Sequence, residues 1–350
     1  MVEIRELNRA DDVDVRGYYD AYVAAQRAGN PGATVHSYAE TVASLRGPSG
    51  GWTFQVLVAV DESAVDLPHG IIGGAMSGAS ILDNLHASWI AVHVRSEHRS
   101  AGVGTALLAA IEDHAAADGR SQLTADVVLD GTHAGTNRRF AERHGYRWSY
   151  SEVERRLPLP LGDDLLDRLD ATVAPYRPGY RIVAFDGPIP DRWATGYCAV
   201  GNRLSADAPH GDLEMEESRR TPEQLRAQDA QITASGRHRL TALALKTTDG
   251  AGLTDGADGS ETVAALCTCV VSEKGAESVD QWATIVDREH RGHRLGMSVK
   301  VACYRLLAEF ATEKRYVETG NAETNRWMIA INEQLGFAIH SQVGVFAKRR

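Results

Sequence analysis

Two stretches of the chain carry residues suited to holding an anion: VRSEHRSAGVG, from Val94 to Gly104, and VDREHRGHRLG, from Val286 to Gly296. Each reads Val, two residues, Glu-His-Arg, and then a short loop that closes on glycine. A strand that feeds such a loop into a helix leaves backbone N–H groups unsatisfied at the positive end of the helix dipole. Glycine then lets a phosphate come close to them. The chemistry to expect is binding of a phosphorylated ligand. No Gly-Lys-Ser/Thr is present, and each loop follows an antiparallel-looking meander rather than the opening strand of a βαβ unit. Both facts argue against a Walker loop and a dinucleotide fingerprint.

The elements that must position these loops occur twice in the same order. In the first half, VEIREL reads as a strand and DVRGYYDAYVAAQ and SYAETVASLRG as helices. WTFQVLVAVD, GIIGGAMSGAS and ASWIAVHV follow as strands, and TALLAAIEDHAAA is the helix after the loop. LTADVVL and TNRRFAERHGYR end the pass, with Gly145 as the helix stop. The second half repeats this from GYRIVAFDG, with a helix opening at Thr-Pro-Glu (221–223) and strands RLTALALKT, ETVAALCTCVV and DQWATIVD. We expect a mobile surface loop in the Gly/Asp-rich DGAGLTDGADGSE. The expected layout is a duplicated α+β domain: residues 1–160, a linker at 161–180, and residues 181–350.

Arg-x-x-Gly-x-Gly after the fourth strand resembles the coenzyme loop of the GNAT superfamily of acyl-CoA-dependent N-acyltransferases. GNAETNRWMIAINEQLGF resembles that family's late strand, Asn-led helix and Leu-Gly-Phe ending, and FAERHGYR closes the first half similarly. The chain is therefore similar to a tandem GNAT protein, and its layout resembles mycothiol synthase-like actinobacterial acetyltransferases. The resemblance implies two GNAT folds, each a mostly antiparallel sheet flanked by helices, with acetyl-CoA as acyl donor and no metal. In that family the fourth and fifth strands splay, and the pantetheine arm pairs with the exposed edge of the fourth. The implied cofactor contacts in the first domain are Val92 and Val94 for pantetheine, then Arg99, Ser100, Ala101, Gly102, Val103, Gly104 and Thr105 for pyrophosphate. In the second they are Thr284 and Val286, then Arg291, Gly292, His293, Arg294, Leu295, Gly296 and Met297, with Asn321 and Asn325 near the late helix. Arg294 stands where Gly102 stands in the first copy, so the second loop either binds phosphate through a charged side chain or has lost the ligand.

The family's catalytic Tyr on the last helix maps to Asn332 in the second half and Ala141 in the first, and neither side chain can serve as an acid. A general base near the fourth strand is sought in His86, which shares strand parity with Ser88, Ile90 and Val92, and in Asp280, read on one face with Trp282 and Thr284. His93 points to the opposite face from His86. By analogy with the mycothiol synthase-like proteins, the C-terminal domain is favoured as the catalytic one. The implied reaction is acetyl transfer to a primary amine of a small molecule, with a backbone oxyanion donor on the fourth strand. The alternative is a non-catalytic acyl-CoA-binding or scaffold protein.

Composition narrows the partners. The 350 residues are 43% apolar and 24% charged, with a net charge of −10; nucleic acid, which needs a concentrated cationic surface, is not expected. No apolar run approaches the roughly 18 residues of a membrane span, and a cytoplasmic monomer or homodimer is expected. Cys267 and Cys269 should share a strand face, and with no second Cys or His pair at matching spacing they read as small buried hydrophobes.

Overall fold

The computed structural model describes residues 2–28, 30, 33, 35–47, 50–129, 132–247, 261–272 and 277–350. The Gly/Asp-rich stretch expected to be mobile falls, up to Ser260, outside these residues. The chain divides into two compact units that are not contiguous in sequence, unlike the expected 1–160 and 181–350. Unit 1 is Met1–Val153, His210–Glu214 and Ser341–Arg350, and unit 2 is Glu154–Pro209 and Met215–His340.

Unit 1 runs β1 (Val2–Glu6), α1 (Asp12–Arg27), α2 (Tyr38–Arg46), β2 (Trp52–Asp61), β3 (Ile71–Ser80), β4 (Ala87–Val94), α3 (Val103–Ala117), β5 (Gln122–Val128), α4 (Ala134–Arg143) and the first part of β6 (Arg147–Pro158). β1 to β4 pair antiparallel in order, and β4 pairs parallel with β5. The outer side of β5 is taken by Val343–Arg349 at the C-terminal end of the chain, antiparallel. Lys348 and Arg350 fix that strand to α3, reaching the buried Glu112 at 2.7 and 3.0 Å.

Unit 2 continues with α5 (Asp163–Val173), β7 (Tyr180–Asp186), α6 (Asp191–Asn202), α7 (Leu204–Asp207), α8 (Pro222–Ala234), β8 (Arg237–Thr247), β9 (Glu261–Ser272), β10 (Ser278–Val286), α9 (Leu295–Phe310), β11 (Tyr316–Ala322) and α10 (Arg326–Leu335); β12 (Ala338–Arg349) starts in unit 2 and ends in unit 1. Its sheet repeats the pattern, with β7 to β10 antiparallel and β10 parallel to β11. The Thr-Pro-Glu start is realised as a capping box, in which Thr221 and Gln224 satisfy each other's backbone N–H groups.

Each sheet buries both faces. In unit 1 the side chains of Ile90, Val94, Leu123 and Val127 pack with Leu107 and Ile111 of α3, while Val56, Val58 and Ile71 pack with Val15, Tyr18 and Ala21 of α1. In unit 2 Leu240, Cys267, Val279 and Val317 face α9, and Leu243, Leu266 and Ile285 face α6 and α8. Among the described residues no helix is long and apolar enough to cross a membrane.

Candidate functional site

The two repeated loops have one backbone design. In unit 1 Ser100 (φ 63°) and Gly102 (φ 86°) are left-handed, and Gly102 is the N-cap of α3. In unit 2 Gly292 (φ 89°) and Arg294 (φ 52°) are left-handed at the matching steps, and Arg294 is the N-cap of α9. The turn thus aims the first N–H groups of each helix outward, with no carboxylate or hydroxyl of the cap residue to satisfy them. Their side chains differ in where the charge goes. Arg99 donates to the Val94 carbonyl (3.0 Å) and the Ala25 carbonyl (3.3 Å), and burial draws its pKa down against the nearby charge of Glu97. In unit 2 Arg291 is tied to Asp207 at 2.6 Å, and Arg294 lies over the Tyr176 ring at 4.4 Å. His293 Nδ1 meets the Tyr176 carbonyl at 3.1 Å. Val103, Leu295 and Met297 are buried in the cores, so only their backbone reaches a ligand, whereas Ser100, Ala101, Gly102 and Thr105 are exposed. Thr105 Oγ1 lies 3.2 Å from His144 Nε2, and Gly104 and Gly296 pack under Phe140 and Ile331.

Beside each loop the sheet opens. Among the described residues β4 pairs with β5 only from Ala87–Trp89 to Gln122–Thr124, although the strands run on to Val94 and Val128. β10 and β11 likewise pair from Ser278–Asp280 to Tyr316–Glu318. Because the Arg95 N–H donates to Ile72 of β3, alternation turns the N–H and C=O of Val94, Val92 and Ile90 to the side that β5 leaves. The Asp287 N–H bonded to Ala264 sets Thr284 and Val286 the same way in unit 2. Each fourth strand thus presents free backbone groups that lead to a helix N-terminus.

On the α1 face of unit 1, opposite the α3 core, period two places Trp89, Ala91 and His93 of β4 and Thr124, Asp126 and Val128 of β5. His93 is 8% exposed, lies edge-on to Tyr18 (5.3 Å) and Tyr22 (5.6 Å), and its Nε2 has no hydrogen-bond partner. Burial lowers its pKa to about 4, so the ring is neutral. Gly74 makes this possible: a Cβ there would meet Tyr18 at 2.8 Å and His93 Nε2 at 3.3 Å. Asp126 reaches solvent, but protein fills most of the volume around it. That crowding and then the charge of Glu152 push its pKa up to about 6, against the Trp89 indole N–H that it accepts. Glu152 also accepts from Tyr150 at 3.1 Å. Asp126, two residues past the last β4–β5 pair, and Glu152 of β6, whose charge reaches it, form an acidic patch beside the opening.

Unit 2 is different on the matching face. Asp229 of α8 lies 2.6 Å from Arg239 of β8, both nearly inaccessible, and burial pushes the Asp229 carboxyl up. Arg239 also donates to Tyr197 (3.2 Å) and Gln228 (2.9 Å), and Tyr197 meets Thr268 at 3.0 Å. The strand registers put Gly320 where unit 1 has Asp126, and Ile285 where it has His93.

The residues expected from sequence fall as follows. His86 precedes β4, with Nε2 3.2 Å from the Glu214 carbonyl. Asp280 is half-buried in β10, on the α6 face. Its shared face with Thr284 does not hold: a bulge at Trp282 resets the register, so Trp282 lies over Arg239 while Thr284 bonds Cys267 on the α9 side. Asn332 is fully buried, accepting from Lys300 at 2.6 Å and donating to Asn321 at 2.7 Å, so it and Asn321 belong to an internal network. Asn325 caps α10 through the Met328 N–H at 3.3 Å. Sequence reading missed Asp126 and Glu152. The period-two pattern of LTADVVL was a usable signal, since it sets Asp126 opposite the core.

Comparison with known proteins places a family on this geometry. Residues 36–146 match the acetyltransferase (GNAT) family, which spans the Gly102 loop and Asp126. The match lies within unit 1, and acyl transfer is the chemistry of the matched family. Over 100% of this chain and 98% of its own, a tandem GNAT protein from the clavulanic acid biosynthesis pathway, solved without acetyl-CoA, superposes with a TM-score of 0.74 at 23% identity. A GCN5-related N-acetyltransferase from Sphaerobacter thermophilus aligns over 99% and 95% of the two chains, with a TM-score of 0.60 and 14% identity. The GCN5-related glucosamine N-acetyltransferase region of a fungal multi-domain GH3 β-N-acetylglucosaminidase gives 0.65 and 14%, over 99% of this chain and 38% of that one. At these identities the likeness is one of fold, and the fold is that of tandem GNAT domains. Comparison with curated proteins gave no match. Nothing in these comparisons bears on the further resemblance to mycothiol synthase-like proteins.

Proposed function

We propose that unit 1 transfers the acetyl group of acetyl-CoA to the primary amine of a small cationic molecule, and that Asp126 is the general base. The observation that carries this reading is the acidic pair Asp126 and Glu152 beside the β4–β5 opening, at whose other end the Arg99–Gly104 loop offers a helix N-terminus. The loop holds the pyrophosphate, and the free edge at Val92 and Val94 pairs with the pantetheine arm. The carboxylates draw in an ammonium group, and Asp126 takes its proton, through water where the distance requires it. The neutral amine attacks the thioester carbonyl, whose developing charge is held by a β4 N–H facing the opening. The C–S bond then breaks to release a thiolate, and the remaining proton of the positively charged nitrogen passes to it through water, leaving amide and free thiol; a thiol pKa of about 8.5 makes it a fair leaving group without an acid.

Unit 2 fits a non-catalytic role, because Arg239, Asp229 and Tyr197 fill its acceptor face and Gly320 and Ile285 carry no titratable group. This reverses the preference for the C-terminal domain that the family analogy gave. The test is thiol release from acetyl-CoA with a panel of polyamines, amino sugars and amino acids. Asp126→Asn should lower kcat by about 10²- to 10⁴-fold while Asp280→Asn leaves it within a factor of a few. The opposite ranking would overturn the assignment to unit 1.

A further inference from the structure

Unit 2 holds a cluster that acyl transfer does not use. Cys267 and Cys269 of β9 point to one face, towards Cys303 of α9, and the three sulfurs lie within 4.8 Å of one another. All three residues are 0% exposed. Lys300, one helical turn before Cys303, is also 0% exposed. Its Nζ donates to Gln281 Oε1 (2.9 Å) and Asn332 Oδ1 (2.6 Å), and among the described residues no carboxylate pairs with it. A buried ammonium with only neutral partners is costly. Cys267 accepts from Thr284 Oγ1 at 3.5 Å and Cys303 donates to the Leu240 carbonyl at 3.7 Å, and an alanine or valine could neither make these bonds nor answer that charge.

We propose that Cys267, Cys269 and Cys303 bind a thiophilic divalent cation of the zinc or cadmium kind as a tris-thiolate, with Lys300 as its buried counter-ion. Binding replaces three thiol protons, which leave to solvent. The metal and three thiolates then carry one net negative charge, and Lys300 cancels it. A trigonal set with a metal–sulfur distance of about 2.3 Å puts the sulfurs about 4 Å apart, so the cluster closes with movements of less than about an ångström. Thiolate donors select metals of this class over hard cations. Sequence spacing hid the set because Cys303 comes from a different element.

The experiment is to refold the reduced full chain with cadmium chloride, remove excess metal, and measure bound metal and the sulfur-to-cadmium charge-transfer absorption. One cadmium per chain is expected, with the band lost in Cys269→Ala, kept in Cys198→Ala, and an affinity at least tenfold weaker in Lys300→Met. Wild-type chain that takes up no cadmium, or a band that survives Cys269→Ala or disappears with Cys198→Ala, overturns the proposal. Acetyl-CoA turnover plays no part in the readout, so its outcome is separate from the reading of unit 1.

Discussion

Gly102 and Arg294 hold the same left-handed backbone, φ 86° and 52°, at the step before equivalent helices. For an L-residue that conformation costs about 1–2 kcal/mol; unit 2 carries the strain at this step, whereas two residues earlier it falls on Ser100 of unit 1 and Gly292 spares unit 2. A Cβ at Gly102 would meet nothing within 4 Å, so Gly102→Ala should cost only the backbone term, about 1 kcal/mol. Arg294→Gly relieves strain but loses the Tyr176 contact, about 0.5–1 kcal/mol, and adds a comparable freedom to the unfolded chain. Its net effect should lie within about 0.5 kcal/mol of zero. Urea titrations of the two variants check both values; equal losses would mean that Arg294 is held by something stronger than its ring contact.

Asp126 should set the pH dependence of turnover. Its pKa stands at about 6, and only the carboxylate is a base, so kcat/KM should climb through that pH and level off above it. The sign for stability is the reverse. A carboxyl whose folded pKa is raised favours the protonated folded state, so stability is lost as pH rises from the unfolded value through about 6. Asp126→Asn should therefore flatten the pH–rate profile and raise the melting temperature near neutrality but not in acid. A variant with an unchanged profile would remove Asp126 from the chemistry.

The repeated junctions, the helix after each loop and the alternating strands were legible in the sequence because period and glycine placement are local. The face of Thr284 was not, since the extra residue at Trp282 leaves no mark until β9 supplies the register. Nor was the strand beside β5, because pairing of Val343 with Val128 is decided by packing between parts of the chain far apart. Asp126 stands opposite the core by parity alone, yet its raised pKa depends on the protein that crowds it and then on Glu152 from another strand, both set by tertiary packing.

Asp14 should make unit 1 sensitive to acid. Burial alone would raise its pKa, but Arg5 grips both oxygens at 2.6 and 2.7 Å, His69 lies at 2.8 Å, and the Asn8 N–H adds 3.0 Å, bringing it down to about 2. A depressed carboxyl contributes stability that is present above the unfolded pKa and is lost as pH falls through the folded one. The window here is about pH 4 down to about pH 2, and the contribution about 2 kcal/mol. Arg5→Met should lower the urea midpoint at neutral pH and flatten its decline across that window. A parallel decline in both proteins would show that other carboxylates govern acid unfolding.

The ion pair of Arg239 and Asp229 should matter more when broken than when replaced. Both groups are nearly inaccessible, 2% and 5% exposed, so removing the arginine strands a carboxylate in the core. Arg239→Met is expected to destabilise unit 2 by about 3–5 kcal/mol, whereas replacing both partners with apolar residues of similar size is close to neutral. The double variant Arg239→Met with Asp229→Leu should thus recover most of the loss. Unfolding followed by tryptophan fluorescence reports it, because Trp282 lies 5.6 Å from the Arg239 guanidinium and Trp193 sits in the same α6 core. If unit 2 serves only as a folded support, the double variant should also keep the acetyl-CoA turnover of unit 1. Loss of turnover in a stable double variant would instead give the charged pair a part in the reaction.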